Sequence, residues 1–252
     1  MKHLDDPGRA GEIRGAIEAK AGLRALYEEY YGLYKRELEL SPGGGLAVEI
    51  GSGAGFAREQ IGGLTATDIL AYPGLDVVMD ARRMPFPDGS LRFIGMLNVF
   101  HHIPDVGAFL GEAERCLKPG GRLLILDQHH GWLSRWILRY GHGEPYRPEA
   151  REWAFETTGP LSGANGALAW MVFRRDVEEF GRRFRGLRLE RYRPHTPLRY
   201  WLSGGLKRWS LLPGAVSGLA RAVDGVLLKL SPEWGSFVEV VVVRKGEDGT
   251  DE

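Results

Sequence analysis

A predicted strand and the glycine-rich turn after it constrain the fold of this chain more than any other feature. Residues 46–50 are apolar except for Glu49 and predict a buried strand. Residues 51–55 carry glycine at every second position, and a helix is predicted over about 54–61. Glycine has no Cβ, so such a turn can bend sharply and lie close to a ligand. A dinucleotide-binding turn would need glycine where this chain has Phe56, so the G-x-G-x-x-G pattern is not met.

Predicted strands and helices alternate along the chain. The predicted strands are 46–50, 64–67, 75–79, 91–97, 122–127, 187–193 and 236–244. Further helices are predicted after Asp105, a favourable N-cap residue, and near 174–184. Strands that alternate with helices through short connections predict an α/β fold, with a parallel sheet that carries helices on both faces.

We expect residues 1–252 to form a single domain. Apolar residues at helical spacing predict an amphipathic leading helix over about 12–40, which a Ser-Pro-Gly-Gly-Gly segment ends. The core of the domain is predicted over about 46–128. Two insertions, about 129–173 and about 194–233, extend that core.

The amino-acid composition limits which cellular compartment and which binding partners are expected. Lys+Arg 33 equals Asp+Glu 33, and the single cysteine, Cys116, excludes an intramolecular disulfide and suits a reducing compartment. The N-terminal residues lack an apolar signal core, and no uncharged apolar run approaches the roughly 18 residues of a spanning helix. We therefore expect a cytoplasmic protein. No recognised nucleic-acid module accompanies the arginines of the second half, so nucleic acid is not an expected partner.

Polar side chains stand at the carboxyl ends of four predicted strands. They are Glu49, Asp68, Asp80 and Asn98. In an open α/β sheet, ligands bind outside this edge. A single aspartate after a strand is more often a turn former. Four such residues beside a glycine turn instead favour a ligand that carries a positive charge, hydroxyls and an amine.

Ordered motifs from residue 48 to residue 121 resemble one family. They are Val48-Glu49-Ile50-Gly51-Ser52-Gly53-Ala54-Gly55, Thr67-Asp68, Asp80-Ala81, Met84-Pro85-Phe86, Asn98-Val99-Phe100-His101-His102-Ile103 and Arg115-Cys116-Leu117-Lys118-Pro119-Gly120-Gly121. From about 46 to 128 the chain resembles the type 11 methyltransferase domain of the class I S-adenosylmethionine (SAM) dependent methyltransferases. The resemblance implies a Rossmann-like, doubly wound, seven-stranded sheet that is mostly parallel, with an antiparallel last strand, and it implies SAM as cofactor.

The resemblance also implies a role for each cofactor residue. Glu49 and the glycine turn would hold the methionine moiety, and Asp68 would take the ribose hydroxyls. Asp80 and Ala81 would contact adenine, and Asn98 would close the sulfonium side. The implied set is Glu49, Gly51, Ser52, Gly53, Gly55, Asp68, Ile69, Asp80, Ala81 and Asn98.

The chain departs from the family after the second strand. Residues 69–74 include a Pro-Gly pair and are too short for the helix that usually follows. Ile69 can still lie against the adenine, so we keep it in the cofactor set.

His101 and His102 are the candidate catalytic residues. They follow the fourth strand, on the side where the resemblance places the methyl group. Either imidazole could act as a base near neutral pH, or one ring could pack at the sheet edge and cap backbone groups. Four further residues could also reach the cleft, namely His129, His130, His142 and Glu144. Their spacing matches no reliable ligand pattern, so no metal site is predicted.

The insertions are expected to set the acceptor. Trp132, Trp136 and Tyr140 share one face of a predicted helix, and apolar residues repeat at helical spacing over 216–230. These helices pack either as a lid over the active site or against each other, or they form a peripheral membrane surface. Tryptophan beside arginine favours the membrane surface, because both residues suit an interface. The predicted function is methyl transfer from SAM to a small-molecule acceptor, for which a lipid- or sugar-linked molecule is a candidate. The alternatives are an NAD-dependent oxidoreductase, which Phe56 disfavours, and a non-catalytic SAM-binding regulatory protein.

Overall fold

The computed structural model describes residue 6 and residues 8–53, 55–141 and 143–246, and a seven-stranded sheet lies at its centre. The strands are β1 (Leu46–Ile50), β2 (Leu64–Asp68), β3 (Val77–Val78), β4 (Leu91–Leu97), β5 (Leu117–Gln128), β6 (Leu187–His195) and β7 (Phe237–Arg244). Their order is β3-β2-β1-β4-β5-β7-β6, and only β7 runs antiparallel to its neighbours. The predicted sheet, with its antiparallel last strand, is confirmed.

Nine helices surround the sheet within the described part of the chain. They are α1 (Arg9–Glu18), α2 (Ala21–Leu40), α3 (Phe56–Gln60), α4 (Val106–Cys116), α5 (Trp132–Tyr140), α6 (Leu168–Trp170), α7 (Val177–Arg183), α8 (Arg199–Leu202) and α9 (Ser217–Leu230). The first insertion contributes α5 and α6, and the second contributes α8 and α9. Among the described residues, no helix has both the length and the apolar character required to cross a bilayer.

Both faces of the sheet are buried, as a sheet covered by helices requires. Successive residues of a strand point to opposite faces. Phe93 of β4 therefore joins one apolar cluster, with Tyr34 of α2, and the next residue, Ile94, joins the other, with Phe109 of α4. The core thus lies in two layers, one on each face of the sheet.

The leading segment corrects one prediction. A single helix over about 12–40 is wrong, because α1 and α2 are separate helices. Lys20 adopts an extended conformation between them, and its ammonium group donates hydrogen bonds to the carbonyls of Ser203 at 3.2 Å and Gly205 at 2.8 Å. These contacts with the second insertion break the helix, and α1 and α2 therefore pack as two elements.

Two other elements differ from their predicted bounds. The strand predicted over 75–79 is the two-residue β3, which lies at the edge of the sheet with Val78 exposed. Very short edge strands limit unwanted pairing with other chains. The helix predicted near 174–184 is α7, which α6 and a π-helical turn (Met171–Arg175) precede.

Candidate active site

A cavity of about 730 Å³ lies at the carboxyl ends of β1, β2 and β4. Small-molecule sites typically span about 300–1,000 Å³. The sequence-predicted cofactor residues that line it are Glu49, Gly51, Ser52, Gly53, Asp68, Ile69, Asp80, Ala81 and Asn98. His101 and His102 line it as well. Gly55 is not among the lining residues and instead precedes α3 as its N-cap.

The glycine turn needs glycine for two separate reasons. Gly51, Gly53 and Gly55 all have positive φ angles, of 73°, 48° and 75°, which side chains disfavour. At Gly51 a Cβ would also lie 2.2 Å from Cγ2 of Val99, whereas at Gly53 it would meet nothing within 4 Å. Ala54 lies outside the described residues. The turn therefore packs directly against the segment that follows β4.

Glu49 is buried in β1, and its carboxylate faces the cavity. Only 4% of the residue is exposed, and Oε2 has no hydrogen-bond partner among the described residues. Burial raises the pKa of Glu49 to about 7. An unpaired buried acceptor costs about 1–3 kcal/mol. This position therefore favours a ligand that brings a cation or a hydrogen-bond donor.

Asp68 ends β2 and holds the glycine turn. Its Oδ2 accepts a hydrogen bond from the Gly53 N–H at 3.0 Å, and its Oδ1 accepts one from the Leu70 N–H at 3.1 Å. Burial raises the pKa of Asp68. Ser52 adds a second link, because its N–H donates to the Thr67 carbonyl at 2.9 Å. Each carboxylate oxygen of Asp68 has capacity for a further donor.

Asp80 and Asn98 differ in whether their side-chain oxygens already have hydrogen-bond partners. Asp80 Oδ2 lies 2.6 Å from Nη2 of Arg82, whose hydrogen bonds lower the pKa of Asp80. Asn98 has a φ of 56°, a left-handed conformation that asparagine tolerates better than most residues. Its buried Oδ1 has no partner within the described residues. Asn98 therefore presents an open acceptor to the cavity, as Glu49 does.

His101 is held from behind by a carboxylate. The residue is 3% exposed, its Nδ1 lies 2.6 Å from Oδ1 of Asp127, and its backbone N–H donates to Oδ2 of Asp127 at 3.2 Å. Its Nε2 lies 3.3 Å from Oε2 of Glu144. Burial alone would disfavour the charged ring. The attraction of Asp127 and Glu144 outweighs that burial and raises the pKa of His101 to about 10.

His102 is fixed in a similar way by a backbone carbonyl. Its Nδ1 lies 3.0 Å from the Gly163 oxygen, and its Nε2 lies 3.9 Å from Oε1 of Glu144. The centroids of the two imidazole rings are 4.2 Å apart. Burial and the charge of His101 lower the pKa of His102 to about 4. Because each Nδ1 faces an acceptor, both rings direct Nε2 towards Glu144.

Apolar residues from elements far apart in the sequence complete the lining of the cavity, and we call them the roof. Ile13 and Ile17 of α1 line it, together with Tyr200 and Trp201 of α8 and Trp209 from the loop that follows. Helix α1 and the second insertion therefore both contribute apolar side chains to the cavity lining.

Sequence reasoning missed Asp127 and misjudged two other histidines. Asp127 is the second-last residue of β5, and the strand-end argument that selected Glu49 and Asp68 could have found it. His129 instead contacts the Tyr192 hydroxyl at 2.8 Å, and His130 stacks on Trp170 at a centroid distance of 4.2 Å. Neither lines the main cavity. Glu144 does line the cavity, and His142 lies outside the described residues.

Part of this chain is similar to known methyltransferases. Residues 48–125 match the family described as a methyltransferase domain. The demethylmenaquinone methyltransferase of Thermus thermophilus is 36% identical over 104 residues, which cover 37% of this chain and 47% of that protein. The chloroplastic tocopherol O-methyltransferase of Arabidopsis thaliana is 35% identical over 71 residues, covering 28% and 20%. The matched segments span less than half the length of these two relatives.

A solved structure shows the same fold along most of the chain. It is the geranyl diphosphate C-methyltransferase of Streptomyces coelicolor, in complex with Mg²⁺, geranyl diphosphate and S-adenosyl-L-homocysteine. The TM-score is 0.52 at 16% identity, with 89% of this chain and 80% of that chain covered. The match over residues 48–125, the ordered motifs and the fold are together similar to those of class I SAM-dependent methyltransferases.

The donors and acceptors of the cavity fit SAM. The open carboxylate oxygen of Glu49 matches an ammonium group, and the bare backbone at Gly51 admits close approach of the methionine moiety. Asp68 has remaining acceptor capacity for ribose hydroxyls. Ile69 and Ala81, which also line the cavity, offer apolar contacts for a purine. The cavity thus meets the cationic, hydroxylated and aromatic parts of this cofactor with complementary groups.

Proposed function

We propose that this protein transfers the methyl group of SAM to a small, largely apolar acceptor. The observation that carries the proposal is the buried, unpartnered Glu49 Oε2, which lies beside a glycine turn on the wall of a cavity large enough for cofactor and acceptor. When bound, SAM supplies an electrophilic methyl group on a positively charged sulfur. Glu49, Asp68 and Asn98 would hold its polar groups.

The residues of the chain act mainly by position. Methyl transfer gains most of its rate from alignment of the two reactants, and a base is needed only where the acceptor atom carries a proton. The apolar roof, which includes Ile17 and Trp201, excludes water from the reacting groups. His101 and His102, each fixed through Nδ1, would hold an acceptor oxygen from the opposite side.

Calorimetric titration tests the cofactor assignment. We expect the wild-type protein to bind one equivalent of SAM, and Glu49→Gln to weaken binding at least tenfold, because the ammonium loses its counter-charge. Glu39→Gln is the matched control, since Glu39 is exposed on α2 and should leave the affinity unchanged. Preferential binding of NAD over SAM would instead support an oxidoreductase and reject the proposal.

The acceptor is inferred to be lipid-like. Tyr200, Trp201 and Phe237 provide aromatic surface in the lining of the cavity. Named relatives act on demethylmenaquinone and tocopherol, and the structural neighbour binds geranyl diphosphate. We expect label from methyl-labelled SAM to enter a quinol or phenol with an isoprenoid tail. Transfer only to water-soluble amines would contradict this choice, and no transfer to any extract would favour a non-catalytic SAM-binding protein.

A peripheral membrane contact would deliver such an acceptor. Along α9, Leu219, Val223, Val226 and Leu230 fall at spacings of one helical face and are exposed by 69%, 41%, 58% and 73%. Trp209, which lines the cavity, is also 47% exposed. The exposed row and Trp209 therefore belong to the same insertion, which supports docking of this insertion on a lipid surface.

Vesicle co-sedimentation tests the membrane contact. We expect the wild-type protein to pellet with phospholipid vesicles, and Leu219→Ser with Val226→Ser to reduce the bound fraction several-fold. Leu40→Ser is the control, because Leu40 is 56% exposed but lies at the end of α2. Equal loss of binding in the control, or no binding by the wild type, would contradict the proposed membrane contact.

A further inference from the structure

Three side chains with metal-binding atoms meet on the wall of the cavity. They are His101, His102 and Glu144, and one ligand atom from each lies within 4.8 Å of the others. Nε2 of His101 is 3.3 Å from Oε2 of Glu144, and Nε2 of His102 is 3.9 Å from Oε1. Around a tetrahedral zinc ion with bonds of about 2.0–2.1 Å, ligand atoms lie about 3.3–3.5 Å apart. The three groups therefore need only small shifts to share one ion.

The groups behind the two histidines match those of a metal site. Ligating histidines usually donate the other ring N–H to a carboxylate or a backbone carbonyl, which fixes the tautomer and the ring orientation. Here Nδ1 of His101 faces Asp127 Oδ1 at 2.6 Å, and Nδ1 of His102 faces the Gly163 oxygen at 3.0 Å. Two such arrangements on adjacent residues leave both Nε2 atoms available on the same side.

The cluster is closed on the protein side and open to the cavity. The side chains of His101, His102 and Glu144 are 3%, 14% and 25% exposed, and all three residues line the cavity. Three protein ligands with one remaining position are typical of catalytic zinc sites, whereas structural sites use four. Two imidazoles also favour zinc-class ions over Mg²⁺ or Ca²⁺, which prefer oxygen ligands.

We propose that His101, His102 and Glu144 bind a divalent transition-metal ion of the zinc class, and that its open position holds an oxygen atom of the acceptor. At that position the ion would lower the pKa of the bound oxygen and orient it within the cavity. Binding of the ion stands on the cluster itself. Only its use in catalysis rests on the proposed methyl transfer.

Zinc binding is measured on full-length protein that has been stripped with a chelator and freed of any affinity tag. Competition with a chromophoric chelator should give one equivalent of Zn²⁺, and Co²⁺ should give the visible absorption of a four- or five-coordinate site. Glu144→Gln and His102→Gln should each weaken Zn²⁺ binding at least tenfold and alter the Co²⁺ spectrum. Circular dichroism verifies that both variants remain folded.

The controls separate this cluster from other histidines and acids of the same insertion. Glu149→Gln and His130→Gln should bind Zn²⁺ as the wild type does, because neither residue belongs to the cluster. If the wild type takes up no stoichiometric Zn²⁺, or if Glu144→Gln binds it equally well, the proposal is overturned and Glu144 serves only as an ion-pair partner of His101. SAM titration of the stripped protein tests the cofactor site independently of this result.

Discussion

At the residue scale, Glu49 links ligand binding to the stability of the ligand-free protein. Its pKa of about 7 lies above the ordinary value of 4.5, so the folded state holds this proton more tightly than the unfolded chain does. The resulting stability is complete below about pH 4.5 and is lost as pH rises towards 7. By the relation between pKa shift and free energy, the loss amounts to about 3 kcal/mol.

Glu49→Gln should therefore stabilise the ligand-free protein while it weakens SAM binding. The amide cannot ionise, so the variant should unfold at a higher denaturant midpoint than the wild type at pH 8, with little difference between them at pH 4.5. Urea unfolding at the two pH values measures this effect. If the midpoints of the variant and the wild type differ equally at pH 4.5 and pH 8, Glu49 is not the group responsible.

Gly51 and Gly53 allow a matched test of the turn. Both have positive φ angles, but only at Gly51 does a Cβ collide with Val99. Gly53→Ala should cost about 1 kcal/mol of backbone strain, and Gly51→Ala should cost clearly more and reduce SAM affinity further. Thermal unfolding and calorimetry measure both effects.

Val99→Ala supplies the check on that reasoning. In the Gly51→Ala background it removes the colliding methyl groups and should restore part of the lost stability. If the double variant is no more stable than Gly51→Ala alone, contact with Val99 is not the cause.

At the scale of elements, one buried arginine joins three helices. Arg199 of α8 pairs with Glu29 of α2 at 2.8 Å and with Asp224 of α9 at 2.9 Å. Oδ1 of Asp224 also accepts a hydrogen bond from the Leu198 N–H at 2.9 Å. Removing one member of a buried ion pair is costly, because the remaining charge stays away from water. This network fixes the second insertion above the cavity.

Asp224→Asn should loosen α9 selectively. We expect a loss of about 1–3 kcal/mol, with faster hydrogen exchange over 217–230 and unchanged exchange in β4 and β5. Glu28→Gln, an exposed change on α2, serves as the control. Uniformly faster exchange across the sheet would indicate global destabilisation and would contradict a local role.

What the sequence could predict follows from how local each feature is. The strand before Gly51, the turn and the strand-end residues Glu49 and Asp68 are encoded in short segments, and the structure has them at one edge. The break at Lys20 depends on carbonyl groups about 180 positions away in the sequence, at Ser203 and Gly205. No periodicity within the leading segment carries that information. The contact between His101 and Glu144 likewise depends on how the first insertion folds back.

At the scale of the whole molecule, cofactor binding should stabilise the chain and should depend on pH. SAM at one hundred times its dissociation constant contributes about 2.7 kcal/mol, which corresponds to a rise of about 5–10 °C in the melting temperature of a chain of this size. The ammonium group requires ionised Glu49, so affinity should increase from pH 6 to pH 8. Melting curves recorded with SAM from pH 6 to pH 8 measure this increase in affinity. Glu49→Gln should abolish the dependence on pH.

The most direct measurement is a crystal structure of the protein with S-adenosyl-L-homocysteine. We expect the ligand to lie across the carboxyl ends of β1, β2 and β4, with its amino group within hydrogen-bond distance of Oε2 of Glu49 and its ribose hydroxyls on Asp68. A ligand bound elsewhere, or bound here with Glu49 still unpaired, would contradict this expectation.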